Sequence, residues 1–332
     1  MRMPPGGARA HDGPMHPVTD FDVVIVGAGP AGVSAALILG RCCRRVLLCD
    51  RGTPRSWASK AMHGFVSRDG IALGEFSDLA LGQLKPYSTV TYEPAEATSA
   101  SVIEGGFALT VGNRRVTARK VLICTGVEDE LPAVEGAVEM FGTSVFQCPY
   151  CDGWEFRGRR LVAYGKRHRG LEMARALTAW SDDILLCSDG PSGFTQEERG
   201  QLAANAIRLV ETRVVRFEGE AGVLGDVVFK DGSRFARDAV FFDTPSRGQS
   251  DLAKQLGCTF RSHGGIACGK YEATAVPGVY VAGNIIRNVQ LSIVAAAEGA
   301  NAAFGINRAL TREDFTRRAT GAVVVEHTAP ET

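Results

Sequence analysis

Several things are scarce or missing in this chain, and each absence narrows the field. There is no excess of charge: Lys plus Arg and Asp plus Glu each total 37. No net field therefore draws the chain to nucleic acid or to an anionic membrane. Unbroken apolar runs are missing too. The one uncharged stretch of membrane length, residues 23–40, is interrupted by Gly27, Gly29, Pro30 and Gly32, so it reads as strand, turn and helix rather than a span. No apolar h-region or cleavage site opens the sequence, and a secretory leader is not expected. The nine cysteines are odd in number, and only Cys148 and Cys151 are spaced as a motif. A disulfide scaffold is thereby excluded, and a reducing, cytoplasmic setting fits. A second zinc-ligand pair is also missing, since no other C-x-x-C, H-x3-H or C-x2-H occurs, and no metal site is expected.

What is present is a chain of 332 residues with 45% hydrophobic and 22% charged residues, ordinary for a globular protein and long enough for two domains. Its focus is Phe146-Gln147-Cys148-Pro149-Tyr150-Cys151-Asp152-Gly153. Two cysteines separated by two residues form a dithiol/disulfide pair, in which C-x-x-C geometry can stabilise a thiolate. The acid that follows at once offers a proton acceptor. Half a zinc site and two core cysteines are the alternatives, and the missing second ligand pair weighs against the first. Cys42, Cys43, Cys49, Cys124, Cys187, Cys258 and Cys268 read as buried apolar positions.

Taken in order, residues 1 to about 19 lack periodicity and read as a disordered arm. The short β-branched run Asp22–Val26 then enters Gly27-Ala28-Gly29-Pro30-Ala31-Gly32, and Val33–Leu39 continues as a helix. This is G-x-G-x-x-G in the context that gives it meaning. Gly27 permits the turn, Gly29 lets backbone N–H groups reach a pyrophosphate, and Gly32 lets the helix pack close to the strand. Pro30 suits a first helical turn, and Ala31 lies at the positive helix end where phosphates bind. A second strand, Arg45–Cys49, ends at Asp50-Arg51, with Asp50 placed for ribose hydroxyls. In the following loop, His63 is either an inconsequential histidine or an active-site base or flavin contact.

A meander is expected over Ser99–Ile103, Phe107–Val111 and Val116–Ala118. A separate strand, Lys120–Cys124, should run into Thr125-Gly126. Beyond Pro132 the first domain's grammar repeats: strand Arg160–Tyr164, helix Arg169–Trp180, strand Ile184–Cys187, a hairpin near Asp231-Gly232, and strand Asp238–Phe242. The repeat departs at its phosphate turn, Gly165-Lys166-Arg167-His168-Arg169-Gly170, where Arg167 stands in place of the glycine that admits a pyrophosphate. Asp189 follows the next strand, where it would repel a 2′-phosphate. The chain then returns through Val276–Gly283-Asn284 to a helix over Gln290–Asn307, with a loosely held tail after about residue 312.

Over roughly residues 20–310 these pieces resemble the low-molecular-weight thioredoxin reductase family. The carriers are Gly27-Ala28-Gly29-Pro30-Ala31-Gly32, Thr125-Gly126, Cys148-Pro149-Tyr150-Cys151-Asp152-Gly153, and Pro277-Gly278-Val279 leading to Ala282-Gly283-Asn284. The resemblance implies an α/β protein of two Rossmann-like, three-layer (ββα) domains. The FAD domain would be discontinuous, 20–130 and 246–312, with an inserted nicotinamide-type domain, 131–245, carrying the C-x-x-C, and a tail over 313–332. It implies FAD, a homodimer, Cys151 as the flavin-proximal thiolate, Cys148 as the interchange thiol, and Asp152 as the proton acceptor.

Three departures refine this. Gly283-Asn284 replaces a Gly-Asp pair, Gln290-Leu291 replaces an Arg-Gln pair near the flavin edge, and the second phosphate turn lacks its middle glycine. The last, with Cys148-Pro149-Tyr150-Cys151-Asp152-Gly153-Trp154, is similar to the dithiol-oxidase subgroup, the holomycin- and gliotoxin-type disulfide-forming flavoenzymes. That subgroup closes disulfides in small sulfur-containing natural products and passes electrons to O2. The expectation is thus an FAD-dependent oxidase of a small-molecule dithiol. The alternative is an NAD(P)H-dependent reductase acting on a thioredoxin-like protein, and the degenerate second turn leaves nicotinamide binding open.

Overall fold

The computed structural model describes residues 19–55, 57–262, 264–286 and 289–320. The expected disordered arm lies outside them except for Thr19, which is buried and donates its hydroxyl to the Phe21 carbonyl.

The first sheet is built from β1 (Phe21–Val26), β2 (Val46–Cys49), β3 (Val90–Glu93), β4 (Ala97–Ile103), β5 (Gly106–Val111) and β6 (Arg114–Ile123), in the order β3-β2-β1-β6-β5-β4. Helix α1 (Pro30–Arg41) connects β1 to β2, and α2 (Leu73–Gly82) precedes β3. Strands β1 and β2 are apolar along both faces because helices cover one side and the meander the other, the pattern of a buried parallel sheet. Each large aliphatic side chain so buried contributes about 1.5–3 kcal/mol.

Two expected strands, Val116–Ala118 and Lys120–Cys124, prove to be one. Strand β6 is ten residues long. Its first half pairs antiparallel with β5, and its second half pairs parallel with β1 and with β17 (Val279–Val281). A single strand thus belongs to both layers, which no local break in periodicity announces.

The second sheet comes from the middle of the chain. After β7 (Val127–Asp129) and α3 (Ala137–Met140) follow β8 (Val145–Phe146), α4 (Pro149–Asp152), β9 (Leu161–Tyr164), α5 (His168–Leu177), β10 (Ile184–Cys187), α6 (Gln196–Ala204) and β11 (Arg208–Val210). Strands β12 (Val214–Glu220), β13 (Val223–Phe229) and β14 (Arg234–Ala236) form a separate meander, and β15 (Ala239–Phe242) completes a parallel sheet β11-β10-β9-β15-β8. Apolar side chains fill both faces, Val162, Phe217, Phe229 and Phe242 towards the meander, and Ala163, Leu171, Leu177 and Phe241 towards the helices. Each unit is a three-layer Rossmann-like sandwich. The two connecting segments pair with each other, β7 antiparallel to β16 (Ser246–Gly248). Beyond them lie α7 (Leu252–Gln255), β17 and α8 (Ser292–Ala319).

Of the tail expected to be loosely held, residues 321–332 lie outside the described residues, and for 313–320 the expectation is corrected. Helix α8 runs 28 residues, to Ala319 rather than Asn307. Its final turns are held by ions: Glu313 and Asp314 pair with Arg119 at 2.8 Å each, Asp314 with Arg44 at 2.6 Å, and Glu313 with Lys120. The cysteine reading also needs correcting. Cys49, Cys124, Cys187 and Cys258 are buried, but Cys42 and Cys43 are exposed and Cys268 is half-buried.

Candidate active site

Parallel sheets offer ligands the C-terminal ends of their strands, and here those ends from both units meet in one cleft. Its volume is about 540 Å³. Strand β1 delivers Gly27, Ala28 and Gly29, with Pro30 and Ala31 opening α1; β2 delivers Asp50 and Arg51; β6 delivers Thr125 and Gly126; β17 delivers Gly283 and Asn284. From the second unit, β8 delivers Cys148, Cys151 and Asp152 into the same cleft, and in the first unit the loop before α2 delivers His63. Gln290 also lines it.

Two expected residues do not. Gly32 stands behind the turn, where an added Cβ would lie 1.8 Å from the Gly27 carbonyl oxygen. Leu291 caps the start of α8, its carbonyl accepting from the Ala295 N–H at 3.0 Å, so the flavin-edge contact expected of it is not made by lining the cleft.

The glycine turn is shaped as a phosphate cradle. Gly27 has φ +105°, and a Cβ there would meet the Cys124 carbonyl oxygen. A Cβ on Gly29 would meet nothing within 4 Å, so the side of the turn that would face a pyrophosphate is open. Asp50 binds the turn itself, accepting from the Ala28 N–H at 3.0 Å and the Gly52 N–H at 2.8 Å.

Two polar atoms in the cleft, Thr125 Oγ1 and Gln290 Oε1, are buried without a hydrogen-bond partner. Buried polar atoms are rarely left unpaired, and both would be satisfied by a polar ligand. Together with the open turn they fit a dinucleotide such as FAD.

At the other end of the cleft Cys148 and Cys151 form a disulfide with Cα atoms 5.3 Å apart. Cys148 is the N-cap of α4, its Sγ accepting from the Cys151 N–H at 3.2 Å. Pro149 fixes the first turn at a position where no backbone donor is needed. Asp152 closes this turn, and burial, with a further push from the nearby Glu155 and an opposing pull from His63, raises its carboxyl to about 7. A carboxyl poised near neutrality accepts and releases protons readily. His63 lies between two carboxylates, Nδ1 at 3.5 Å from Asp69 and Nε2 at 3.8 Å from Glu155.

Several residues of consequence escaped the sequence. Arg55 and Asp129 make a bidentate pair, both contacts 2.7 Å. Trp57 packs on Phe141, ring centroids 5.7 Å apart, and Gly142 passes so close to Ala58 that a Cβ would lie 2.2 Å from its carbonyl oxygen. The last two contacts hold the loop of the first unit against the second, and the ion pair ties the same loop to β7. Glu298, on α8, accepts from the Gly283 N–H at 2.8 Å, and Gln249 lines the cleft while accepting from Arg51 at 3.0 Å. Neither sits in a motif, so only the return of the chain brings them in.

The second phosphate turn is built differently. Arg167 adopts φ 52° and ψ −133°, a region that glycine fills without strain. Lys166 lies 3.8 Å from Asp189 and Arg169 3.3 Å from Asp243. Both flanking cations are already engaged by the protein's own acids.

Comparison with known proteins accords with this geometry. Residues 21–299 match the pyridine nucleotide-disulphide oxidoreductase family, and the chain belongs to it. The crystal structure of HlmI superposes with a TM-score of 0.86 at 32% identity, covering 91% of this chain and 96% of its own. Thioredoxin reductase tcpT of Claviceps purpurea is 29% identical over 283 residues, 81% of this chain and 88% of its own. Thioredoxin reductase sirT of Leptosphaeria maculans is 26% identical over 319 residues, 90% and 97% respectively. Within its family the protein is thus of the low-molecular-weight thioredoxin-reductase type, an oxidoreductase and a flavoprotein. No helix among the described residues is long and apolar enough to cross a membrane.

Proposed function

We propose that the protein is an FAD-dependent dithiol oxidase that closes a disulfide in a small molecule, with O2 as final acceptor. The observation that carries this is the contrast between the two phosphate turns. The first is open and shares its cleft with the disulfide, while in the second Arg167 stands where the middle glycine would let a pyrophosphate approach. Electrons then enter through sulfur rather than through a nicotinamide.

The chain's own residues account for the exchange. The substrate's first thiol ionises, its proton passing to solvent, and the thiolate attacks Cys148 Sγ; the Cys148–Cys151 bond breaks, and its electron pair leaves on Cys151 Sγ. The substrate's second thiol gives its proton to Asp152. The thiolate so formed attacks the substrate sulfur held by Cys148, forming the product S–S bond and releasing Cys148. The substrate has lost two electrons and two protons, and the enzyme dithiol holds the electrons. Exchange of this kind runs at a rate set by thiolate fraction and access. Gly27, Gly29, Pro30, Ala31, Asp50, Thr125, Gly126, Gly283, Asn284 and Gln290 would hold FAD. Bound FAD supplies a two-electron acceptor for the dithiol that O2 can reoxidise to give hydrogen peroxide.

We take 20–130 and 246–312 as the FAD-binding domain, 131–245 as the insert, the working form as a homodimer, and the setting as cytoplasmic. The test is oxygen uptake by the holoprotein with a small dithiol and no nicotinamide. Stoichiometric O2 consumption is expected, and a strict need for NADH or NADPH would refute the proposal. The relatives' printed name, thioredoxin reductase, favours a second reading, nicotinamide-driven reduction of a thioredoxin-like protein. That reading requires either nucleotide to bleach the flavin anaerobically within the turnover time.

A further inference from the structure

Exchange at the dithiol leaves a proton on Asp152, which must be shed before the next turnover. Asp152 is only partly accessible, and the ionisable side chains whose charges bear on it are Glu155, one turn further along the chain, and His63, from the opposite unit. His63 lines the cleft with Asp152 and both cysteines. Its two ring nitrogens face different carboxylates, Nε2 towards Glu155 at 3.8 Å and Nδ1 towards Asp69 at 3.5 Å. Both separations lie just beyond hydrogen-bond range, and a small side-chain rotation closes either one. Side-chain exposure is lowest at His63, 27%, against 69% for Asp69 on one side and 42% for Glu155 on the other, so the Asp69 side opens furthest to solvent. An imidazole can take a proton at one nitrogen and release one from the other, so a histidine that shares the cleft with Asp152 and faces the exposed Asp69 is a conduit.

We propose that His63 is a relay residue acting through Asp152, carrying the proton collected at the dithiol outward to Asp69 and solvent. The proposal rests on the dithiol-exchange reading above, without requiring O2 as acceptor. The steps balance as proton transfers alone: a substrate S–H breaks as an Asp152 O–H forms, that O–H breaks as a His63 N–H forms, and the opposite nitrogen releases its proton to Asp69 or water. No electrons move.

The test compares wild type with His63→Gln, each as holoprotein with equal FAD content and melting temperature. With dithiothreitol as the dithiol, kcat should fall about tenfold at unchanged KM, and free imidazole should restore it in proportion to its concentration. Independently of turnover, alkylation of the reduced Cys148 thiol by iodoacetamide, followed by mass spectrometry across pH 5–9, should show an inflection near neutrality. His63→Gln should move it upward, because the lost imidazolium had favoured the Asp152 carboxylate. An unmoved inflection together with no imidazole rescue would overturn the relay and leave His63 a loop residue. Should wild type fail to consume O2 while the inflection still moves, the oxidase reading fails and the relay stands.

Discussion

Replacing Asp152 by Asn keeps the shape of the side chain and removes its charge, which separates what the carboxylate does for chemistry from what it costs the fold. Burial raises this carboxyl from 3.8 to about 7. At about 1.4 kcal/mol per pKa unit the displacement corresponds to at most ~4 kcal/mol, and partial access to water brings the realised cost nearer ~2 kcal/mol. The sign follows from linkage. The folded protein holds a proton that the unfolded chain has lost between about pH 4 and 7, so wild-type stability falls as pH rises through that window and is lowest above it. The variant's amide has nothing to titrate. The melting temperature of Asp152→Asn minus that of wild type should therefore be near zero at about pH 4 and grow through the window. Above pH 7 it should level off at about 2–4 °C, read on the holoprotein by flavin fluorescence. Dithiol oxidation by the same variant should fall about 100-fold. A gap in melting temperature that is flat from pH 4 to 8 would show that Asp152 is not held protonated by its surroundings, and the assignment of the proton acceptor would fail with it.

Arg167→Gly should raise the melting temperature, because the backbone at φ 52° and ψ −133° costs a non-glycine residue of order 1–3 kcal/mol. NADH and NADPH should still leave the flavin absorbance unchanged, since Asp189 and the ion-paired Lys166 and Arg169 remain; nucleotide-driven bleaching in this variant would show that Arg167 alone closed the second turn. Ending the chain at Arg312 removes Glu313 and Asp314 and leaves the 8%-exposed Arg119 with Asp22 as its remaining acidic partner, at 3.2 Å. Chemical denaturation should report a loss of about 3 kcal/mol, and Arg119→Met in the shortened chain should recover part of it.

Where the physics was local, the sequence carried it. Strands β1 and β2, the turn between β1 and α1, and the disulfide pair are written in short windows, and the two Rossmann-like units follow from their recurrence. What could not be read depended on partners distant in the chain. The double membership of β6 exists because β17, more than 150 residues later, completes the sheet beside its second half. The length of α8 depends on Arg44, Arg119 and Lys120, none of which its own composition foretells. Cys42 and Cys43 are exposed because α1 ends at Arg41, leaving both past its buried face. The cap of α6 was legible and overlooked: Thr195 and Glu198 satisfy each other's backbone donors, the sequence sign of a helix start.

The second unit also explains why a Rossmann-like sheet persists where its phosphate turn lacks the middle glycine. Strand β8 joins that sheet at its edge, Val145 and Phe146 in parallel register with Val240 and Phe241 of β15, and Cys148 follows two residues after β8 ends. The sheet thus fixes the dithiol at the same kind of position, the C-terminal end of a parallel strand, that the first sheet uses for Gly27, Asp50, Thr125 and Gly283. Phe146 is clamped between Phe156 and Phe241, at 5.2 and 5.5 Å between centroids, so the segment entering α4 has little freedom. Selection on such a unit would act on its edge strand and core rather than on its nucleotide turn. On this argument Phe241→Ala, which opens a cavity beside Phe146, should reduce dithiol exchange more than FAD retention. Equal losses of both would mean that the sheet mounts the whole cleft rather than the disulfide.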